Sequence, residues 1–204
     1  QCLRLTGFTP PFSELLMSLN TPLRHSMLAL AAAMLALQAQ AALPAEASAR
    51  ALAQISANAS RTLHAHGHSY QVRDVVIDAD GIEHVRVQRH YQGLRVIGGD
   101  MVLHSGRNGA FVSASHTLMR EPTVNTRAAL APGQAQRAAA AAHPTHVSAG
   151  STELVVYARG DLPALAYDVR LSGEQADGTP SEMHVIVDAN LGTVLDQWDD
   201  IHTG

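Results

Sequence analysis

The sequence predicts an α+β fold made of two small modules, each a helix packed on a four-stranded antiparallel sheet. Three observations lead there. Leu52, Ile55, Ala59 and Leu63 recur at three- and four-residue spacing, as one face of a helix requires. From Tyr70 to Leu118 the apolar period becomes two, the period of a half-buried strand. The same order, helix then strands, returns after Pro132. The composition, 46% hydrophobic and 16% charged, is that of a globular chain, and 204 residues suit one domain or two small ones.

The elements follow in order. Residues 42–64 are alanine-rich and helix-prone. Tyr70–Ile77 and Ile82–Tyr91 form a hairpin about Asp78-Ala79-Asp80-Gly81, whose Asp-Gly pair favours a tight turn. Tyr91-Gln92-Gly93-Leu94 turns the chain. Asp100–His104 and Ala110–Leu118 are two further strands, separated by a loop containing Asn108-Gly109. After a linker at 121–130, a helix runs over Pro132–Ala142, with proline at an early position where its missing N–H costs little. His143-Pro144 ends it. Glu153–Tyr157, Ala164–Leu171, Met183–Val187 and Thr193–Trp198 complete the second set of strands.

The amino-terminal segment reads differently. Arg24 and His25 precede an unbroken Met, Leu and Ala run from Met27 to Leu37, followed by Ala39-Gln40-Ala41. This is the layout of a secretory signal peptide over 17–41, its apolar run too short for the ~20 residues that span a bilayer. Met17 is then the expected start, with residues 1–16 as upstream translation. Cleavage after Ala41 removes Cys2, the only cysteine, so no disulfide framework is expected in an exported chain. No membrane association is expected of that form.

Charge and motif content exclude several kinds of chemistry. The chain has 14 Arg, no Lys and a net charge of −4, which disfavours nucleic-acid binding. Residues 42–149 hold 10 Arg against 7 acids, and residues 150–204 hold 2 Arg against 10 acids. Such asymmetry suits either docking surfaces of opposite sign or plain solvated faces. His64, His66 and His68 alternate and are candidate metal ligands, but no acid or cysteine stands close by to complete or orient them. His-Glu-x-x-His, His-x-x-Glu-His and Gly-x-Ser-x-Gly are absent. Gly98-Gly99-Asp100 leads into a strand and lacks the helix N-terminus of a phosphate loop. Asp199-Asp200 has no evident pocket. No self-contained active site is legible.

Two segments carry a resemblance. Arg73-Asp74-Val75-Val76, His84-Val85-Arg86-Val87-Gln88 and Tyr91-Gln92-Gly93-Leu94-Arg95-Val96-Ile97-Gly98-Gly99-Asp100 resemble the fungalysin/thermolysin propeptide (FTP) motif. Leu154–Tyr157, Leu165–Val169 and Val187–Leu195 resemble a PepSY domain. In this order behind a signal peptide they are similar to the pro-region of secreted thermolysin-like zinc metalloproteases. The resemblance implies an FTP-like module at 42–120 and a PepSY-like module at 131–204, with a cystatin-like architecture expected for each. It implies a folding assistant and temporary inhibitor whose partner is the cognate protease catalytic domain, in cis or in trans. Zinc and calcium would belong to that domain, with no cofactor on this chain. Ile201-His202-Thr203-Gly204 resembles the junction before the enzyme.

The resemblance assigns Asp74, Tyr91, Gly93, Gly98, Gly99 and Asp100 to structural roles, the three glycines supplying backbone angles closed to other residues. The inhibitory end is expected at Asp196–Gly204, with Asp196, Trp198, Asp199, Asp200, Ile201 and His202 facing the partner. His202 would approach the active-site metal. Trp198 either packs under the sheet or anchors the partner. Two other readings stay open: a stand-alone secreted peptidase inhibitor acting in trans, and a metal hydrolase using His64, His66 and His68.

Overall fold

The computed structural model describes residues 44–175 and 177–201. The signal-peptide segment, residues 1–16 and His202 lie outside the described residues. Helix α1 (44–57) stops at Asn58, α2 (Ala59–Thr62) adds one turn, and Leu63 closes it in the left-handed region at φ 49°. The helix predicted through His64 is therefore two pieces. The strands are β1 (His68–Ile77), β2 (Glu83–Tyr91), β3 (Leu94–Ile97), β4 (Met101–Ser105) and β5 (Phe111–His116). Helix α3 (Pro132–Ala142) precedes β6 (Val147–Tyr157), β7 (Ala164–Glu174), β8 (Pro180–Asp188) and β9 (Val194–Asp199).

The result is a mixed α+β fold dominated by one large sheet. Its strands run β5-β4-β2-β3-β6-β7-β8-β9, with β1 also paired to β2. Every pairing is antiparallel except one. Strand β3 joins β2 through Tyr91↔Leu94 and lies parallel to β6 through Val96↔Val156 and Ile97↔Tyr157. The sequence reading placed only a turn and a glycine pair there, because four residues are too few to display a period. This short strand makes a single hydrogen-bonded path of what the periodicity presents as two sheets. The turn feeding it has Gln92 at φ 48° and Gly93 at φ 84°, both central residues being left-handed as a type I′ hairpin requires.

Each helix covers its own part of the sheet. Ala47, Ala51 and Ile55 of α1 are buried against Val85 and Val87 of β2 and Met101 and Leu103 of β4. Ala135 and Ala139 of α3 are buried against Leu165, Tyr167, Val169 and Leu171 of β7 and Val185 and Val187 of β8. Small residues at the contact let the helix axis approach the strands, and alanine is the best helix former, so both roles select the same residue. At the start of α3 the Ala131 N–H donates to Gln134 Oε1 at 2.9 Å, satisfying one exposed backbone donor. The segment expected as a linker is tied down. Leu130 N–H donates to Ala189 O at 2.9 Å, Tyr167 O–H donates to Leu130 O at 2.8 Å, and Val124 packs on Tyr91 and Val96.

The glycines around β3 divide by cause. Gly98, at φ +80°, has Arg159 Cγ 2.9 Å from where a Cβ would stand, so both angle and space select glycine. Gly99 is not left-handed. Its Cβ would fall 2.7 Å from Val96 Cβ and 3.1 Å from Arg89 Cβ, so space alone demands glycine there, which corrects the backbone-angle role predicted for it. Gly99→Ala is expected to lower unfolding stability by about 2–3 kcal/mol through overpacking. Urea denaturation would show it, and a change below about 0.5 kcal/mol would mean the site relaxes freely.

Candidate functional site

Of the six residues assigned structural roles, Tyr91, Gly93, Gly98, Gly99 and Asp100 surround β3, and Asp74 lies apart from them on β1. Tyr91 ends β2 buried, with its ring edge-on to His68 at 5.5 Å between centroids. Asp74 sits at a bulge in β1 and accepts the Val75 N–H at 2.9 Å. Asp100 is exposed just before β4.

The sequence reading missed Arg89, which is fully buried at 0% exposure. Its guanidinium donates to Thr62 O and Leu63 O, both at 2.6 Å, closing the carboxyl end of the α1–α2 helical segment with a cation. It also lies over the Tyr70 ring at 5.1 Å. A signal was available: along β2 the inward positions are Val85, Val87, Arg89 and Tyr91, so an arginine stands in phase with the core.

The three alternating histidines do not converge. His64 Nδ1 meets Tyr70 Oη at 3.1 Å, and His66 is exposed. His68 Nδ1 accepts the Ala65 N–H at 3.1 Å and faces Arg89 Nη1 at 3.1 Å. A guanidinium against the ring opposes a second cation there. Among the described residues no three of His, Cys, Asp and Glu gather as ligands for a metal ion.

Burial first, then the charges of Arg89 and His64, lowers the His68 pKa to about 4. The ring is thus held neutral in the fold and charges more readily when unfolded. Its contribution to stability is full above the unfolded value of 6.5 and is lost as pH falls from there toward 4. Allowing for solvent around a half-buried ring, the loss is about 1–2 kcal/mol. Urea midpoints at about pH 7.5 and about pH 5 should therefore differ less in His68→Gln than in the parent chain. Equal differences would remove His68 from the acid response.

Of the expected inhibitory end, residues 196–201 lie against the sheet. Asp196 to Asp199 belong to β9, paired to β8 through His184↔Trp198 and Ile186↔Asp196. The Asp199 carboxylate accepts from Ser181 Oγ at 2.7 Å, from Glu182 N at 2.9 Å and from Ile201 N at 3.0 Å. The Ser181 hydrogen bond first, then the backbone donors, hold it at a pKa of about 2. Tyr157 O–H donates to Asp196 at 3.1 Å. The Trp198 ring stacks on His184 with centroids 4.7 Å apart and planes 8° apart, and Arg159 lies 4.6 Å above the indole.

Beneath this stack runs an ionic chain invisible to periodicity. His184 Nδ1 faces Asp168 Oδ1 and His184 Nε2 faces Asp200 Oδ2, each at 2.8 Å. Arg95 donates to Asp168 at 2.7 Å and to Glu153 at 2.7 Å. Burial opposes the charge on Asp200, but hydrogen bonds from His184 and Trp198 outweigh it and lower the carboxyl pKa. These contacts cross β3, β6, β7 and β8 to the segment after β9, and so clamp Asp200 to the middle of the sheet. They form a positional device. A small cavity of about 170 Å³, lined by Arg170, Ser172, Glu182, Met183 and His184, adjoins it.

Residues 68–118 match the Fungalysin/Thermolysin Propeptide Motif. Over 139 residues the chain is 38% identical to the transglutaminase-activating metalloprotease of Streptomyces mobaraensis, covering 65% of this chain and 18% of that protein. The chain thus spans less than a fifth of the relative's length. Among solved structures, the Bacillus megaterium YpeB C-terminal domain aligns with a TM-score of 0.38 and 9% identity, over 78% of this chain and 66% of its own. No helix among the described residues is long and apolar enough to cross a membrane.

Proposed function

We propose that this chain, which carries the fungalysin/thermolysin propeptide motif at residues 68–118, is the pro-region of a secreted thermolysin-like zinc metalloendopeptidase. It assists folding of the catalytic domain and holds that domain inactive until removed. Each half reads as a cystatin-like unit, a helix on four antiparallel strands (β1, β2, β4 and β5 in the first half, β6 to β9 in the second), with β3 added between them. Residues 42–120 form the FTP-like module and residues 131–204 the PepSY-like one.

The observation that carries this reading is where the motif falls. Tyr91, Gly93, Gly98, Gly99 and Asp100 flank β3, the strand that joins the two parts of the sheet. The matched motif therefore surrounds the connection between the two parts of the sheet, and a scaffold that folds as one connected sheet suits the task. A secreted protease survives among proteases only if its unfolding barrier is high, and a high barrier can also slow folding. A prefolded surface that binds the folding transition state lowers that barrier. The same surface then blocks the cleft without contributing a nucleophile. Zinc and calcium belong in this reading to the catalytic domain. Export by the signal segment at 17–41 completes it.

The mature Streptomyces mobaraensis metalloprotease supplies a test. Denatured enzyme diluted into buffer with the full chain should regain on the order of ten-fold more active sites after the chain is digested away than enzyme diluted alone. Undigested mixtures should stay inhibited. Equal recovery together with no inhibition would refute the pro-region reading.

A further inference from the structure

The segment after β5 (117–121) and the β6–β7 loop (158–163) face each other across a cleft of about 260 Å³ lined by Leu118, Met119, Arg120, Arg159 and Pro163. A neighbouring depression of about 470 Å³ is lined by Arg86, Asp100, Val102 and Ser115. Thr117 and Arg159 line both, so the two form one groove beside the β3 joint. Its walls are tied to the end of β3 by two hydrogen bonds. Ala158 N–H donates to Ile97 O at 2.9 Å, and Thr117 Oγ1 donates to Gly98 O at 3.2 Å.

One large apolar side chain, Met119, stands unpacked on a wall of the groove, and a second, Leu162, stands exposed between the lining residues Asp161 and Pro163. Met119 is 91% exposed although its neighbour Leu118 is buried, and Leu162, in the opposite loop, is 67% exposed. Neither contributes to the core, and both would gain from burial against a partner. The charge is also uneven. Arg86, Arg120 and Arg159 line the groove against Asp100 and Asp161, in a chain whose net charge is −4. Arg86 and Arg120 form no ion pair among the described residues, whereas Arg159 is paired with Asp196 at 3.7 Å. Methionine and arginine at the edge of a pre-formed cleft have the composition of a protein interface.

We propose that this groove receives a loop of the protease catalytic domain that presents an apolar side chain flanked by carboxylates. The proposal rests on the pro-region reading and names where the two bodies meet. The apolar side chain enters against Met119, with Leu162 covering it from the rim, and the carboxylates meet Arg86 and Arg120.

The test measures inhibition of the mature Streptomyces mobaraensis metalloprotease by the full chain. Met119→Asp combined with Leu162→Asp should weaken inhibition by on the order of ten-fold or more, with the circular dichroism spectrum and urea midpoint unchanged. Arg120→Glu should weaken it too and flatten its salt dependence. Leu191→Asp, at a 76% exposed position outside the groove, should leave inhibition within about two-fold. Should the double aspartate variant fail to fold, Met119→Ser and Leu162→Ser tested singly must still weaken inhibition. Parent-like inhibition by the groove variants, or an equal loss in Leu191→Asp, overturns the groove alone. A parent chain that dimerises through Met119 makes a second copy the occupant and also overturns it. A parent chain that neither binds nor inhibits removes the pro-region reading itself.

Discussion

Replacing Arg89 with alanine is expected to lower the unfolding free energy by about 4 kcal/mol, a large share of the ~5–15 kcal/mol available to a domain. Two losses combine. The deleted side chain leaves a cavity between β2 and the end of the α1–α2 segment, which costs about as much as a large-to-alanine change in any core. The carbonyls of Thr62 and Leu63 then lose the donors that reach them at 2.6 Å, in a place water enters poorly. One term opposes these. The buried guanidinium loses hydration in the fold, burial lowers its pKa, and its Nε has no partner, so removing it recovers some desolvation energy. Arg89→Met separates the terms. It keeps most of the volume, drops the cation and orphans the carbonyls, so an intermediate loss of about 2 kcal/mol is expected. Urea denaturation followed by circular dichroism reads both. A loss below about 1 kcal/mol in the alanine variant would mean that the helix end does not depend on this cap.

The fold was legible where side chains alternate and illegible where pairing is remote. Helix Pro132–Ala142 matches the predicted span, because its proline entry and the His143-Pro144 exit are local signals. Eight of the nine strands among the described residues match predicted strands, with ends differing by up to six residues, as at the start of β6. Strand β3 was not, since Leu94–Ile97 is short and its stability comes from Val156 and Tyr157, some sixty residues away. The same limit governs the ionic chain. Asp168 lies on the sheet face opposite α3, where alternation assigns a solvated polar residue. It is buried because Arg95 from β3 and His184 from β8 close over it. Arg89 belongs to the other class. Its phase along β2 gave it away, but an arginine in a core phase is easily read as an exception to the pattern. Trp198 was left between two roles. Its indole packs on His184 under Arg159, while its Nε1 donates to Asp200 at 3.0 Å.

Asp168→Ala is the second substitution with a large expected effect, about 3–5 kcal/mol. Asp168 is 2% exposed and carries the charge that Arg95 and His184 share from opposite sides. Without it, the Arg95 guanidinium and the His184 ring lose the acceptor they share. Arg95 retains Glu153 and His184 retains Asp200, so each keeps one partner, and both remaining partners are about half exposed. Exposed pairs contribute little, so the loss is not recovered there. Asp168→Asn tests whether charge or shape matters. The amide oxygen can still accept one hydrogen bond, and the expected loss is correspondingly smaller, about 2 kcal/mol. The tryptophan reports the local event. Trp198 is the only one in the chain and stacks on the His184 ring, whose Nδ1 faces Asp168 and whose Nε2 faces Asp200. Asp168→Ala should therefore change the tryptophan emission at fixed pH, because the ring loses one of the two carboxylates that hold it. Emission identical to that of the parent chain would mean that Asp200 alone keeps the ring in place. In the pro-region reading this matters beyond stability. Asp200 N–H donates to Glu182 O at 2.9 Å and Ile201 follows directly, so the strength of the His184 clamp sets how firmly the chain's last described residues are held against the sheet.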